Sequence, residues 1–165
     1  MILLSLNLRG VEGLHKLVSM RRLLNNTLSH IILVKETLVD ELRAKSFMST
    51  LRLAWYTATV SSVGKSEGML VAWDPSKLDL KYYICCGGIL LTCTNLELKK
   101  HISFLNVYGP CIDRKDLWEK VGDTGILYLK NMVVARDFNF TLHEGEIWGE
   151  AVQSNQLNLF FKELF

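Results

Sequence analysis

Apolar residues follow two rhythms along this chain. Ile2 to Leu6 is a short apolar run stopped by Asn7 and the Gly10/Gly13 pair, the pattern of a buried strand running into a turn. From about residue 14 to 28 the rhythm changes. Leu14, Leu17, Val18, Leu24 and Leu28 share one helical face, while His15, Lys16, Arg21 and Arg22 fall mostly elsewhere, so an amphipathic helix is expected. Ile31, Ile32, Leu33 and Val34 then read as a second buried strand. A strand, a helix and a strand in this order predict a right-handed crossover with parallel strands. Asn7 ends the first strand and Glu36 the second, so two oxygen-bearing side chains far apart in sequence are expected to meet at one rim of a sheet, where α/β folds place their sites.

A second helix is expected over roughly 39–48, followed by short strands over 54–60, 68–73, 78–84, 89–96 and 102–108. Asp74-Pro75-Ser76 and Cys86-Gly87-Gly88 favour tight reversals, and the short connections predict antiparallel neighbours in a β-meander. A short helix over 113–120, a strand over 132–135 and a terminal helix over 155–165 complete the reading, the last with Leu157, Phe160, Phe161 and Leu164 facing inward.

Composition narrows the class. With 165 residues, half of them apolar, the chain has material for one hydrophobic core, and no repeat or linker divides it. A charged fraction of 22% argues against wholesale disorder, and a net charge of +2 neither demands nor excludes a polyanionic partner. The four cysteines (Cys85, Cys86, Cys93, Cys111) have no zinc-ligand spacing and read as reduced, mostly buried thiols. Ser5, Asn7 and Arg9 interrupt the N-terminal apolar run before a signal-peptide core is complete, and no stretch approaches the roughly 18 apolar residues of a membrane span. The expectation is a non-secreted intracellular protein of nucleus or cytoplasm, with no membrane and no protein partner. Gly64-Lys65-Ser66 has the tail of a phosphate-binding loop, but Thr59 stands where the leading glycine belongs, and the residues after Ser66 are strand-like rather than helical.

The candidate chemistry lies elsewhere. Asn7, Glu36, the run Asn106-Val107-Tyr108-Gly109-Pro110 and the run Asp137-Phe138-Asn139 each stand at or just past the end of an apolar strand-like run. Glu36 and Asp137 with the carboxamides are the hard oxygen donors that Mg²⁺ prefers, usually through one or two carboxylates with water and phosphate completing the shell. Taken singly, each is more often a solvated strand-end side chain than a ligand, and Tyr108 more often a packing residue.

Taken in order, these motifs resemble those of the endonuclease/exonuclease/phosphatase superfamily, in the branch of plant LINE-type (non-LTR) retrotransposons. Leu4-Ser5-Leu6-Asn7-Leu8-Arg9-Gly10 resembles the family's S-W-N-V-R-G, and Val34-Lys35-Glu36-Thr37 its L-Q-E-T. The segment from Gly68 to Asp74 resembles G-G-I-L-L-x-W-D, Asn106 to Pro110 reproduces N-V-Y-G-P, Arg114 with Leu117-Trp118 matches R-x-x-L/F-W, and Asp137-Phe138-Asn139 matches G-D-F-N from its aspartate. The resemblance covers nearly the whole chain. It implies an α/β sandwich of the DNase I-like type, with mixed β-sheets flanked by helices, over residues 1–165 but without the family's C-terminal strands. It also implies a Mg²⁺- or Mn²⁺-dependent hydrolase acting on DNA phosphodiester bonds, of the kind associated with a reverse transcriptase. Glu36 would bind the metal with help from Asn7. Asp137 would orient or deprotonate the attacking water, Asn139 would hold the scissile phosphate, and Tyr108 would donate a hydrogen bond to that phosphate or to the family's histidine. Asn106 and Arg114 are the candidates for further phosphate contacts.

The sequence departs from the pattern at Leu6 (for tryptophan), Lys35 (for glutamine), Glu67 (for one glycine) and Ala135-Arg136 (for the glycine pair before the aspartate). Arg136 could crowd the nucleophile, pair with Asp137 or point away. The chain carries no counterpart of the family's S-D-H segment, and His15, His30, His101 and His143 do not stand in its place. A truncated, non-catalytic remnant with weak metal or phosphate binding is therefore the alternative.

Overall fold

A computed structural model describes residues 1–63, 66–85, 87–95, 100–108 and 114–137, with the side chains of Val63, Ser66, Glu67, Asn95, Arg114 and Asp137 excepted. The chain runs β1 (Leu3–Asn7), α1 (Leu14–Thr27), β2 (Ile31–Lys35), α2 (Glu41–Leu51), β3 (Tyr56–Val63), β4 (Ser66–Trp73), β5 (Leu80–Cys85), β6 (Gly88–Asn95), β7 (Lys100–Tyr108), α3 (Arg114–Asp123), a 3-10 turn at Ile126–Tyr128 and β8 (Met132–Asp137). The terminal helix expected over 155–165 lies outside the described residues.

Two four-stranded sheets, ordered β1-β2-β4-β3 and β5-β6-β7-β8, form the frame. The crossover expected at the start is present: β1 and β2 are parallel, with Leu3 opposite Ile31 and Asn7 opposite Lys35. A second crossover, β7-α3-β8, sets Ser103 opposite Met132 and Tyr108 opposite Asp137, again in parallel. The remaining neighbours are antiparallel, through short connections for β3-β4, β5-β6 and β6-β7. The meander is split rather than continuous. After β4 the Asp74 carboxylate accepts hydrogen bonds from the backbone N–H and hydroxyl of Ser76 (2.9 and 2.7 Å), and the turn leads into the second sheet instead of pairing β5 with β4.

Period-2 alternation along each strand explains the layers. Leu33, Val71, Trp73, Leu91 and Phe104 fill the space between the sheets. The opposite face of the first sheet (Ile32, Val34, Leu70, Ala72) is covered by Met20 and Leu24 of α1 and Ala44, Phe47 and Met48 of α2. The outer face of the second sheet (Leu90, Leu105, Val107) is covered by Trp118 and Val121 of α3. Asp40 caps α2, accepting from the Arg43 N–H at 2.9 Å, and Glu41 suits the positive helix start.

One expectation about α1 is corrected. Its buried stripe is Met20 and Leu24 with Leu17 and Leu23 beside them, whereas Leu14 and Leu28 are 75% and 73% exposed and Val18 is also exposed. Leu28 has left the helix, with a left-handed backbone (φ 48°), and Leu14 is its first residue, so neither end continues the stripe. Cys93 is buried and Cys85 half-buried. No helix among the described residues is long and apolar enough to cross a membrane.

Candidate functional site

Both crossovers are parallel, so each brings two strand C-termini to a common edge. Across the sandwich, the Asn106 carboxamide of β7 donates to the Val34 carbonyl of β2 at 3.4 Å, which sets the two edges at the same end of the molecule. Asn7, Glu36, Tyr108 and the backbone of Asp137 therefore belong to one rim.

The loop after β1 builds the Asn7–Glu36 geometry. Backbone hydrogen bonds from Leu8 to Lys35 (3.1 Å), Gly10 to Glu36 (2.6 Å) and Val11 to Thr37 (3.0 Å) carry the β1-β2 pairing past the strand ends. On the other side, the Thr37 N–H donates to Gly68 of β4 at 3.1 Å. Held this way, Glu36 adopts a left-handed backbone (φ 53°), uncommon for a residue with a Cβ and costing about 1–2 kcal/mol. Such strain survives where surrounding bonds over-determine it. The Asn7 Nδ2 then donates to Glu36 Oε1 at 2.8 Å, while Asn7 Oδ1 accepts weakly from the Arg9 N–H at 3.4 Å.

Behind this pair the interior turns from apolar to polar. Lys35, Asn106 and Tyr108 are buried there, with the exposed Ser5 at its edge. Lys35 is only 2% exposed, and its ammonium donates to Ser5 Oγ at 2.7 Å. Asn106 is fully buried and ties the sheets together rather than facing solvent. Its Oδ1 and the Thr37 Oγ1 are buried oxygens without a hydrogen-bond partner among the described residues. Tyr108 is buried in the inter-sheet core.

Arg136 points away from this interior. Its guanidinium lies 4.8 Å from the Trp118 ring centroid, on the face covered by α3, so a cation–π contact holds it where crowding of the rim was one of the expectations. The Asp137 backbone ends β8 opposite Tyr108, and the first residue of α3 is Arg114; their side chains, and all of Asn139, lie outside the described residues. His30 Nδ1 accepts from the Ile2 N–H at 2.9 Å, and His101 Nδ1 lies 3.0 Å from the Thr94 hydroxyl.

Sequence reading overlooked three contributors: the buried ammonium of Lys35, the fit of Gly68 against Thr37, and the contacts of Lys16 with the loop after β1. A lysine in the first turn of a helix was the visible signal for the last.

The donor chemistry suits a hard cation, because a half-buried carboxylate oriented by a carboxamide is an oxygen-only set and the buried Oγ1 of the next residue, Thr37, has no hydrogen-bond partner among the described residues. No group of three or more His, Cys, Asp or Glu clusters among the described residues.

No protein-family model and no curated protein sequence matches the chain. Solved structures do. The endonuclease domain of TRAS1, a telomere-specific non-LTR retrotransposon, superposes with a TM-score of 0.58 at 12% identity over 84% of this chain and 59% of that domain. The AP endonuclease LMAP from Leishmania major gives 0.66 at 12% identity over 90% and 58%. The 3'-5' exonuclease NExo from Neisseria meningitidis gives 0.67 at 15% identity over 99% and 70%. The chain thus spans somewhat under three-fifths of the first two. The fold is of the endonuclease/exonuclease/phosphatase, DNase I-like type, two mixed sheets flanked by helices.

Proposed function

We propose that the chain is a nuclease-type phosphodiesterase domain of retrotransposon origin, in the plant LINE-type branch, whose metal side is built on Glu36 and Asn7 and whose substrate is DNA. The observation that carries this reading is the 2.8 Å bond between Asn7 and Glu36 at the joined ends of β1 and β2. A divalent ion, Mg²⁺ or Mn²⁺, held by the Glu36 carboxylate with Asn7 beside it would supply charge stabilisation at the phosphoryl and leaving oxygens. Asp137 would accept the proton of the attacking water as the P–O bond to the leaving strand breaks. Asn139 and Tyr108 would hold the phosphate, with Arg114 as an outer contact. Asn106 supports the rim from beneath. The site of action would be nuclear or cytoplasmic.

Nicking of supercoiled plasmid with Mg²⁺ or Mn²⁺ tests this. Metal-dependent nicking that EDTA abolishes, and that falls at least about 100-fold in Glu36→Ala and in Asp137→Ala, is the expected result. Nicking that persists in Glu36→Ala would sink it.

A second reading, a metal- or phosphate-binding remnant without catalysis, is favoured by Lys35. Its buried ammonium adjoins Glu36 in sequence, and in a medium of reduced dielectric it opposes the entry of a second cation. Lys35→Gln is accordingly expected to lower the Mn²⁺ concentration that half-saturates the rise in melting temperature, by about fivefold. An unchanged midpoint would show that Lys35 does not oppose the ion. A melting temperature that rises with Mn²⁺ in a folded parent that never nicks would favour the remnant.

A further inference from the structure

We infer that Lys16 is a positioning residue for the Asn7–Glu36 pair, locking the loop after β1 by filling a cage of three successive backbone carbonyls with its ammonium. This role presupposes the metal side proposed above. Lys16 lies in the first turn of α1, where the helix dipole disfavours a cation and where no acidic residue offsets it. A residue that breaks a local preference is held by something else, and here the contact is explicit. Nζ donates to the carbonyls of Leu8 at 2.9 Å, Arg9 at 2.6 Å and Gly10 at 2.7 Å. An ammonium has three donors and no acceptor, so three carbonyl oxygens match it fully.

Those carbonyls belong to a segment with two consecutive left-handed residues, Arg9 (φ 49°) and Gly10 (φ 94°). That backbone turns three neighbouring C=O groups toward one point, an arrangement that repels itself without a cation at its centre. The opposite side of the same segment is bonded to Lys35, Glu36 and Thr37. Lys16 therefore presses the loop against the residues that present Glu36, and the Arg9 N–H, fixed by the cage, is the group that reaches back to Asn7 Oδ1. With the ammonium gone, the three carbonyls turn to water, and Asn7 Oδ1 loses the Arg9 N–H that helps to orient it.

The test compares the parent with Lys16→Ala and Lys16→Arg, all shown to be folded at the measuring temperature. In ¹⁵N-labelled protein, the Asn7 side-chain NH₂ signal is expected to shift from its parent position in Lys16→Ala. It should return with added ethylammonium, which refills the cage, but not with tetramethylammonium, which has no N–H donor. Lys16→Arg should keep it near the parent position. The Mn²⁺ midpoint should rise about tenfold in Lys16→Ala and recover with ethylammonium. An Asn7 signal that stays in place in Lys16→Ala while only the melting temperature falls would overturn the inference, leaving Lys16 a structural tie. If the parent binds no Mn²⁺, the metal reading fails alone, because the Asn7 signal still decides the role of Lys16.

Discussion

Replacing Gly68 by alanine is expected to lower stability by roughly 3 kcal/mol or more and to weaken metal binding at the same time. Gly68 stands in β4 with φ +83°, a backbone that costs a residue with a Cβ roughly 1–2 kcal/mol. The added methyl would also overlap Thr37 Oγ1, and it would lie 3.2 Å from Ser62 Cβ and 3.3 Å from the Leu38 amide nitrogen. None of these is the loose end of a long side chain. Thr37 is fully buried and follows Glu36 directly, and its N–H is bonded to the Gly68 carbonyl, so relief of the overlap must displace the segment that presents the carboxylate. Denaturant unfolding and a Mn²⁺ titration of the melting temperature together check this. Gly122→Ala is the control, since a methyl there meets nothing within 4 Å in α3 and is expected to add about 0.5–1 kcal/mol. A Gly68→Ala variant as stable as the parent, or one that loses stability but keeps its Mn²⁺ midpoint, would disprove the coupling of that glycine to the rim.

This coupling is a fair measure of what the sequence discloses and what it withholds. The first crossover was legible because Ile2 to Leu6 and Ile31 to Val34 are short, bounded and separated by a helical rhythm, and the meeting of Asn7 with Glu36 follows from that topology alone. The division of the later strands between two sheets was not. Asp74-Pro75-Ser76 reads equally as a hairpin turn or as a bend between layers, and only the packing of Leu78 and Leu80 into the inter-sheet core decides which. The face of α1 was misjudged because a helix with leucines at both ends offers more apolar positions than its stripe can bury. Lys35 was read by its neighbour Glu36, whereas strand alternation puts it on the inner face with Leu33 and gives it Ser5. Arg136 shows the converse case. Its threat to the rim depended on which face of β8 it took, and a partner in another element, Trp118, is what the one-dimensional pattern could not supply.

Trp118→Ala is expected to cost roughly 3–5 kcal/mol, and roughly 6–20 °C of melting temperature for a domain of this size. The ring is fully buried, among the largest side chains to be so, and it fills the space between α3 and Leu90, Leu105 and Val107 of the second sheet. Its removal leaves a cavity under a short helix that has few other buried anchors, Val121 being the main one. Part of the loss should be shared with Arg136, whose guanidinium rests 4.8 Å from the ring centroid. A double-mutant cycle with Trp118→Leu and Arg136→Met separates the two contributions, because leucine keeps much of the packing while losing the π face. The coupling is expected at about 0.5–2 kcal/mol. A value near zero would mean that the arginine is held by something other than the ring.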